Sequence, residues 1–435
     1  MNAVPHPVPA GLAGKLVGPG DRRYGALRST YTRVGSPALV ALPESPRDVA
    51  RALAFAADQR LRVAVRSGGH GLSGAATNDG GLVVDLSAMR GVRVLDRGAR
   101  LVRVEAGARW AEVARALAPH GLAISSGDHG NVGVGGLATG GGIGWLVRSY
   151  GLTVDHVRAV EVVLADGSVV RADAEHEPDL LWVMRGAGAG TATATAFEIE
   201  AVELGRVGYA EATVVVDPAG TALRRWAAMM AAAPRELSTA VNLSGQGSFA
   251  VASVTAVVAS DSESVVRRAL EPLAGLGDTV LQQAYVLPYP QLLSTAQLHG
   301  HSGQMPVVTT NGLLTRMTPE AARGLVAAVT APEPVLIQMR SLGGAVNDMD
   351  PAATAYPHRH QRTLVTATAF PPGDRGTLSA GWKPLLPYTD GAYVNFESHP
   401  DAETFARTYP GETGARVAAL RQRYDPDGVL RPGIR

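Results

Sequence analysis

Not one of the 435 residues is cysteine. That excludes disulfides, thiolate metal sites, iron–sulfur clusters and cysteine nucleophiles, and any cofactor link through a cysteine sulfur. Charge of one sign is missing as well. Forty Lys and Arg face thirty-nine Asp and Glu, with no basic run, so neither nucleic acid nor an anionic membrane is an expected partner. The apolar runs are short and broken by Gly, Arg or Asp, so none is expected to span a bilayer. MNAVPHPVPAGLAGKLVG has no charged region leading into an apolar stretch, which makes a cytoplasmic location the expectation. No G-x-S-x-G elbow supports a hydrolase. What is there is long enough for two to three folding units.

Residues 1–45 are rich in Pro and Gly and are expected to wrap the surface of the first unit. Ser45 and Pro46 then open a helix through Gln59. LRVAVR, GLVVDL, VRVLD and RLVRVEAG read as strands, and WAEVARALAPH as a helix stopped at Gly121. The stretch 121–156 packs glycine too densely for a helix and too irregularly for a linker. VRAVEVVLADGSVVRA predicts a hairpin turning at Asp166-Gly167, followed by a short helix in EPDLLWVMRG and a strand in TATATAFEIEAVEL. From about residue 206, YAEATVVV, FAVASVTAVVA, VVTTNGLLTRM and PVLIQMRSL alternate with alanine-rich helices, predicting one antiparallel sheet with helices on one face. The last part predicts a strand at YVNF and a helix returning to the first unit.

Two glycine clusters stand out. Arg66-Ser67-Gly68-Gly69-His70-Gly71 directly follows a strand, and Gly133, Gly135, Gly136, Gly140, Gly141 and Gly142 form the second cluster. Glycines let backbone N–H groups close on one anionic group where side chains would block it, and a pyrophosphate is the natural guest. A single Gly-Gly after a strand is usually only a turn, but two clusters in one unit favour a cofactor path. Gly133-x-Gly135-x-x-Ala138 with Asp155 some twenty residues on also fits a permissive nicotinamide fingerprint. The context opposes it: GDHGN is a turn rather than a strand, and Gly140 to Gly142 fall where the helix should run.

RSGGH, ATNDGGLVVDLS, VGVGG…GGGIGWLVRSYGLTVDHV, LLWVMRGAG, YVNF and RYDP, in that order, resemble the berberine-bridge-enzyme-like flavoproteins of the vanillyl-alcohol-oxidase, PCMH-type superfamily, and most of all bacterial members of the hydroxynicotine-oxidase kind. The resemblance covers most of 40–205 and about 385–430. It implies an α+β fold: a two-part PCMH-type FAD-binding domain (1–205 plus 385–435) with an inserted antiparallel-sheet-plus-helices substrate domain (206–384). It also implies FAD bonded through His70 to the methyl group on the flavin's benzenoid ring. Many relatives add a second link through a cysteine in G-x-C-P-x-V-G; here that stretch reads Gly127-Asp128-His129-Gly130-Asn131-Val132-Gly133, with His129 in the cysteine's place. A single covalent link is therefore expected, with His129 lining the pocket and a bond through it the less favoured alternative. Valine at Val132 resembles family members that use dioxygen.

In such a protein the flavin accepts a hydride from a substrate carbon, and a side chain takes the accompanying proton. Tyr393 and Asn395 match the family's Y-x-N segment, and on a strand both would share a face. Tyr393, its acidity raised by neighbouring charge, is the first candidate base; a structural tyrosine is the plainer reading. Gln338 and Arg340 alternate onto one strand face as candidate substrate ligands, with surface exposure an equal alternative, and Tyr356 and His358 resemble a segment close to substrate. The histidines of His358-Arg359-His360 and Gln297-Leu298-His299-Gly300-His301 lack a nearby carboxylate at ligating spacing, so no metal is expected. After RGAG the family's N-F-G is replaced by Ala189-Gly190-Thr191, which suggests a wider pocket. That departure leaves open a flavin-binding protein with weakened catalysis and a structural role; a dehydrogenase, which differs from the oxidase only in its electron acceptor, is the other alternative. The expected activity is oxidation of a C–OH or C–NH carbon of a small, secondary-metabolite-like substrate, with O2 giving H2O2, by a bacterial monomer or homodimer.

Overall fold

The Ser45 side chain accepts the Asp48 N–H, so the helix Pro46–Asp58 starts where its cap and proline place it. The same agreement between local signal and structure runs through the first half of the computed structural model, which describes residues 10–247, 249–293 and 306–430. Gln297, His299 and His301 lie outside the described residues.

Three large sheets organise the chain, beside a two-stranded pair of Leu122–Ala123 with Val202–Glu203. In the first, Leu39–Ala41 and Val63–Arg66 both run parallel to Leu82–Asp85, and Leu16–Val17 pairs antiparallel at the edge. The N-terminal segment is thus woven into a sheet, not only laid over the surface. The second is antiparallel, in the order Val92–Asp96, Leu101–Glu105, Thr193–Glu200, Val157–Val163 and Val169–Ala172, and its last pair is the hairpin that turns at Gly167 (φ +87°). Helices Pro46–Asp58, Trp110–Leu117, Pro178–Met184 and Gly411–Tyr424 pack with these two sheets into one large core that holds Leu53, Trp110, Phe197 and Tyr409.

The third sheet has seven antiparallel strands: Thr279–Pro288, Arg206–Val216, Phe249–Val258, Leu237–Gln246, Leu336–Ser341, Thr363–Ala369 and Val308–Leu314. Helices Thr221–Ala232, Glu263–Leu270, Pro319–Thr330 and Arg375–Trp382 cover one face, burying Val254, Ile337, Met339 and Val365. Strand alternation turns Gln338, Arg340, Thr366 and Thr368 to the opposite face. Tyr289, Leu293 and Ala355, although their chain positions fall between 206 and 384, pack in the first core.

Two local expectations are corrected. Val134–Gly140 is an α-helix despite its glycines. Val134, Leu137 and Ala138 are buried in the first core, and Gly141 (φ +146°) ends it, so packing outweighs weak intrinsic propensity. At the other end, Val394–Phe396 is a single 3₁₀ turn, closed by the Phe396 N–H on the Tyr393 carbonyl. Tyr393 and Asn395 therefore do not share a face by strand alternation.

Arg148 fixes the seven-stranded sheet against the glycine-rich half. Its guanidinium donates to the carbonyls of Leu237 (2.7 Å), Leu342 (2.7 Å) and Ala233 (3.1 Å), and burial pushes its pKa down to about 10. Among the described residues no helix is long and apolar enough to cross a membrane, and no group of three or more His, Asp or Glu could hold a metal.

Candidate active site

The two glycine clusters interlock. A Cβ on Gly68 would sit 2.2 Å from the Gly133 nitrogen, and one on Gly133 would sit 2.1 Å from that of Gly68, so no larger residue fits either position. Ser67 ties the junction: its Oγ donates to the Ala106 carbonyl (2.5 Å) and accepts the Gly135 N–H (3.3 Å). Gly69 (φ +69°) supplies the left-handed turn that carries the chain into His70.

These loops form one wall of a cavity of about 420 Å³. Ser67 to Gly71, His129, Val132, Gly133, Gly135, Gly136 and Gly140 all line it, as do Gln338, Arg340, Tyr393 and Asn395 from the far side. Gly188, with Ala189 and Gly190 of the segment without the family's amide and aromatic, adds a third small-residue wall. Gly71 and Gly136 are exposed and meet no atom within 4 Å of a built Cβ, so side chains there would project into open space. A wall of bare backbone with room in front of it suits a flat, phosphate-bearing cofactor.

Five expected site residues stand behind the wall. Arg66 is fully buried; it pairs with Asp85 (2.7 Å) and donates to the carbonyls of Ser29 and Leu27. Gly141 and Gly142 lie past the helix end, where the Gly142 N–H donates to the Tyr393 hydroxyl oxygen (2.9 Å). Tyr356 packs edge-on to Tyr393 (ring centroids 6.2 Å apart) instead of reaching the cavity. His358 is buried against the Thr408 carbonyl (3.0 Å), and burial pushes its pKa down to about 4. Asp155, the acid of the nicotinamide fingerprint, pairs with Arg359 (2.7 Å) and caps the Leu152 N–H, away from the cavity.

Tyr393 corrects another expectation. Burial is the dominant influence and pushes its phenol up to about 12, against the opposing pull of the Gly142 N–H and the Asn395 amide. Neighbouring charge does not make it acidic. Its oxygen instead receives two N–H donors, from Gly142 and from Asn395 Nδ2 (2.9 Å), a setting that steadies negative charge when a proton leaves.

The roof contains residues that the sequence reading missed. Asp128 pairs with Arg340 through Nε (2.8 Å) and Nη2 (2.7 Å), joining the 127–133 loop to the sheet. Burial is the largest single influence and disfavours the Asp128 anion, but the charge of Arg340, the charge of His129 and the hydrogen bond from Arg340 together outweigh it and hold the carboxyl below its usual range. The Arg340 guanidinium lies over the Phe396 ring (4.7 Å). Arg340 Nη1 and Thr366 Oγ1, both buried on cavity-lining residues, have no hydrogen-bond partner among the described residues. The Gln338 amide is turned by Asn242 Oδ1 (2.8 Å). Asp128 stands beside His129 in GDHGN, so the chemistry-bearing pair was visible, but its partner lies across the fold.

Residues 37–173 match the family model described as "FAD binding domain". The chain is an FAD-linked oxidoreductase with the mixed α+β fold of PCMH-type, berberine-bridge-enzyme-like oxidases. Over 450 residues it is 27% identical to the (R)-6-hydroxynicotine oxidase of Paenarthrobacter nicotinovorans, covering 97% of this chain and 96% of that protein. Its fold matches that of Physcomitrella patens BBE-like 1 (TM-score 0.86, 20% identity, 97% of both chains). The glucooligosaccharide oxidase of Acremonium strictum, described with a 6-S-cysteinyl, 8α-N1-histidyl FAD, matches equally well (TM-score 0.86, 21% identity, 97% of both chains).

Proposed function

We propose that the protein is an oxidase that holds FAD through a single bond from His70 and oxidises a C–OH or C–NH carbon of a small substrate, with dioxygen as acceptor. One observation carries this reading: a single cavity joins His70, the bare-backbone wall of the 134–140 helix and the Tyr393–Asn395 pair beneath a polar roof. The likeness in fold to an oxidase described with histidyl FAD supports a covalent link, the chain has no cysteine to share it, and among the described residues His70 and His129 are the histidines that line the cavity. His129 is exposed at the cavity, a placement suited to lining it.

When bound, the flavin supplies the hydride acceptor. Gly133, Gly135 and Gly136 would lie along it, Val132 would lie beside it, and Gln338 and Arg340 would bind substrate polar groups from above. Tyr393 takes the substrate proton at its phenol oxygen, and the N–H groups of Gly142 and Asn395 steady the charge during the transfer.

Two outcomes follow. Acid-denatured wild-type protein should keep flavin fluorescence on a gel, while His70→Ala should lose nearly all of it; flavin that stays bound to His70→Ala would overturn the assignment. A phenol must be ionised to act as a base, and that of Tyr393 is pushed up to about 12, so kcat/KM should climb with pH across the alkaline range. Tyr393→Phe should remove that climb and lower kcat by about a hundred- to ten-thousandfold. A profile that stays flat in the wild type would place the base elsewhere.

A further inference from the structure

Tyr31 lies in the Pro- and Gly-rich segment before residue 45, far in sequence from either glycine cluster. In the fold it reaches the cavity, and its ring stacks on the His70 imidazole, with centroids 5.2 Å apart and planes 16° from parallel. We infer that Tyr31 is a positioning residue for flavin attachment: its ring holds the His70 imidazole so that a ring nitrogen faces the flavin methyl group. This inference rests on the reading of His70 as the linking residue.

Three features support it. Stacking engages one face of the imidazole, whereas both nitrogens lie on its edge, so contact with Tyr31 restrains the ring without covering the reacting atom. Second, Tyr31 is anchored to the very loop it steadies. Its N–H donates to the Gly69 carbonyl (3.0 Å), next to His70 in the chain. On either side the segment is latched: Thr77 Oγ1 donates to the Arg28 carbonyl (2.7 Å), Arg33 pairs with Asp79 (2.6 Å), and Ser36 Oγ donates to Asp79 (2.7 Å). Third, the electron-rich face of a phenol favours positive charge on a neighbouring ring, and the imidazole gains such charge while its nitrogen forms a bond.

The attachment balances as follows. His70 gains an N–C bond to the methyl carbon, and one methyl C–H bond and the imidazole N–H bond break. Those two hydrogens, with one electron pair, are taken up by the isoalloxazine ring system, and dioxygen then removes them as hydrogen peroxide. Tyr31 exchanges no atoms; it shortens the search for a reactive geometry.

The test uses full-length protein produced under riboflavin limitation and then incubated with FAD. Covalent flavin is followed over time by intact mass and by fluorescence after acid denaturation. Tyr31→Ala should attach flavin about three- to tenfold more slowly than wild type, a range expected for loss of one ring-on-ring contact. Tyr31→Phe, which keeps the ring, should attach it at the wild-type rate. Total flavin bound before denaturation should be alike in all three, a readout that general damage to the fold would move. Tyr31→Leu fills similar space without a ring and replaces Tyr31→Ala if that variant fails to fold. Wild-type attachment rates in Tyr31→Ala or Tyr31→Leu would overturn the inference, as would a Tyr31→Phe rate as slow as theirs. If His70→Ala still acquires acid-stable flavin, the reading of His70 itself fails, whatever the Tyr31 variants do.

Discussion

Replacing Gly136 with leucine should give a folded protein that takes up at least about tenfold less flavin than wild type. Glycine inside a helix is destabilising by about 0.5–1 kcal/mol relative to alanine. Nothing in the protein requires that cost at Gly136: a built Cβ meets no atom within 4 Å, although the residue lies within Val134–Gly140. The space it leaves belongs to the cavity. The requirement must therefore come from what fills the cavity, and a leucine side chain would occupy that volume. Flavin per chain, read from absorbance of the desalted protein, checks the claim. Comparison of flavin-free forms separates the effect from misfolding, since the flavin-free Gly136→Leu helix should melt no lower than wild type. Full flavin content in the variant would move the ring system away from this wall.

Asp85→Ala should destabilise the protein by about 3–5 kcal/mol, because it leaves the guanidinium of Arg66 buried without its counter-charge. Both side chains are almost wholly enclosed, at 0% and 2% exposure, so water cannot replace the lost partner. Arg66 also gathers the carbonyls of Leu27 and Ser29, the approach to Tyr31. Loss of Asp85 should thus slow flavin attachment as well as lower the denaturation midpoint. Removing both charges, with Arg66→Met and Asp85→Leu, should restore most of the midpoint, since a packed apolar pair avoids the unpaired charge. Denaturant titration of the single and double variants measures this directly; a double variant no better than the single would point to the carbonyl contacts as the larger contribution.

Sequence pattern reached the fold most easily where one face of an element meets water. YAEATVVV and FAVASVTAVVA alternate cleanly, and both are strands of the large sheet. Thr363–Ala369 is buried along its whole length, so TLVTATA carries no alternation to read. Leu237–Gln246 and Thr279–Pro288 were overlooked as well: the first mixes Ser, Asn and Gly into its length, and the second ends in proline. The helix at Val134–Gly140 was hidden by composition, since its stability comes from burial rather than propensity. For the site, local motifs located the glycine loops and His70. They also drew in Arg66, which ends the strand leading into the same loop but serves an internal ion pair. Tyr31 and the Asp128–Arg340 pair depend on contacts between distant segments, which no window of sequence contains.

The way Tyr393 is held has a consequence for how such a site can change. The side-chain amide of Asn311 grips its backbone from both directions, accepting the Tyr393 N–H (2.6 Å) and donating to the Tyr393 carbonyl (3.0 Å), much as a neighbouring strand would. The phenol oxygen is engaged from the other half of the molecule, at Gly142. Tyr393 therefore works like a rivet through two plates: Asn311 sets the head in the sheet, and Gly142 receives the tip. The roof side chain of Gln338 bonds to Asn242 and to neither end of the rivet, whereas Thr366 stands directly across the sheet from Asn311. If Tyr393 handles the proton as proposed, exchange at Gln338 should alter which molecules are accepted while the phenol oxygen stays in place, so substrate preference and chemistry are separable there.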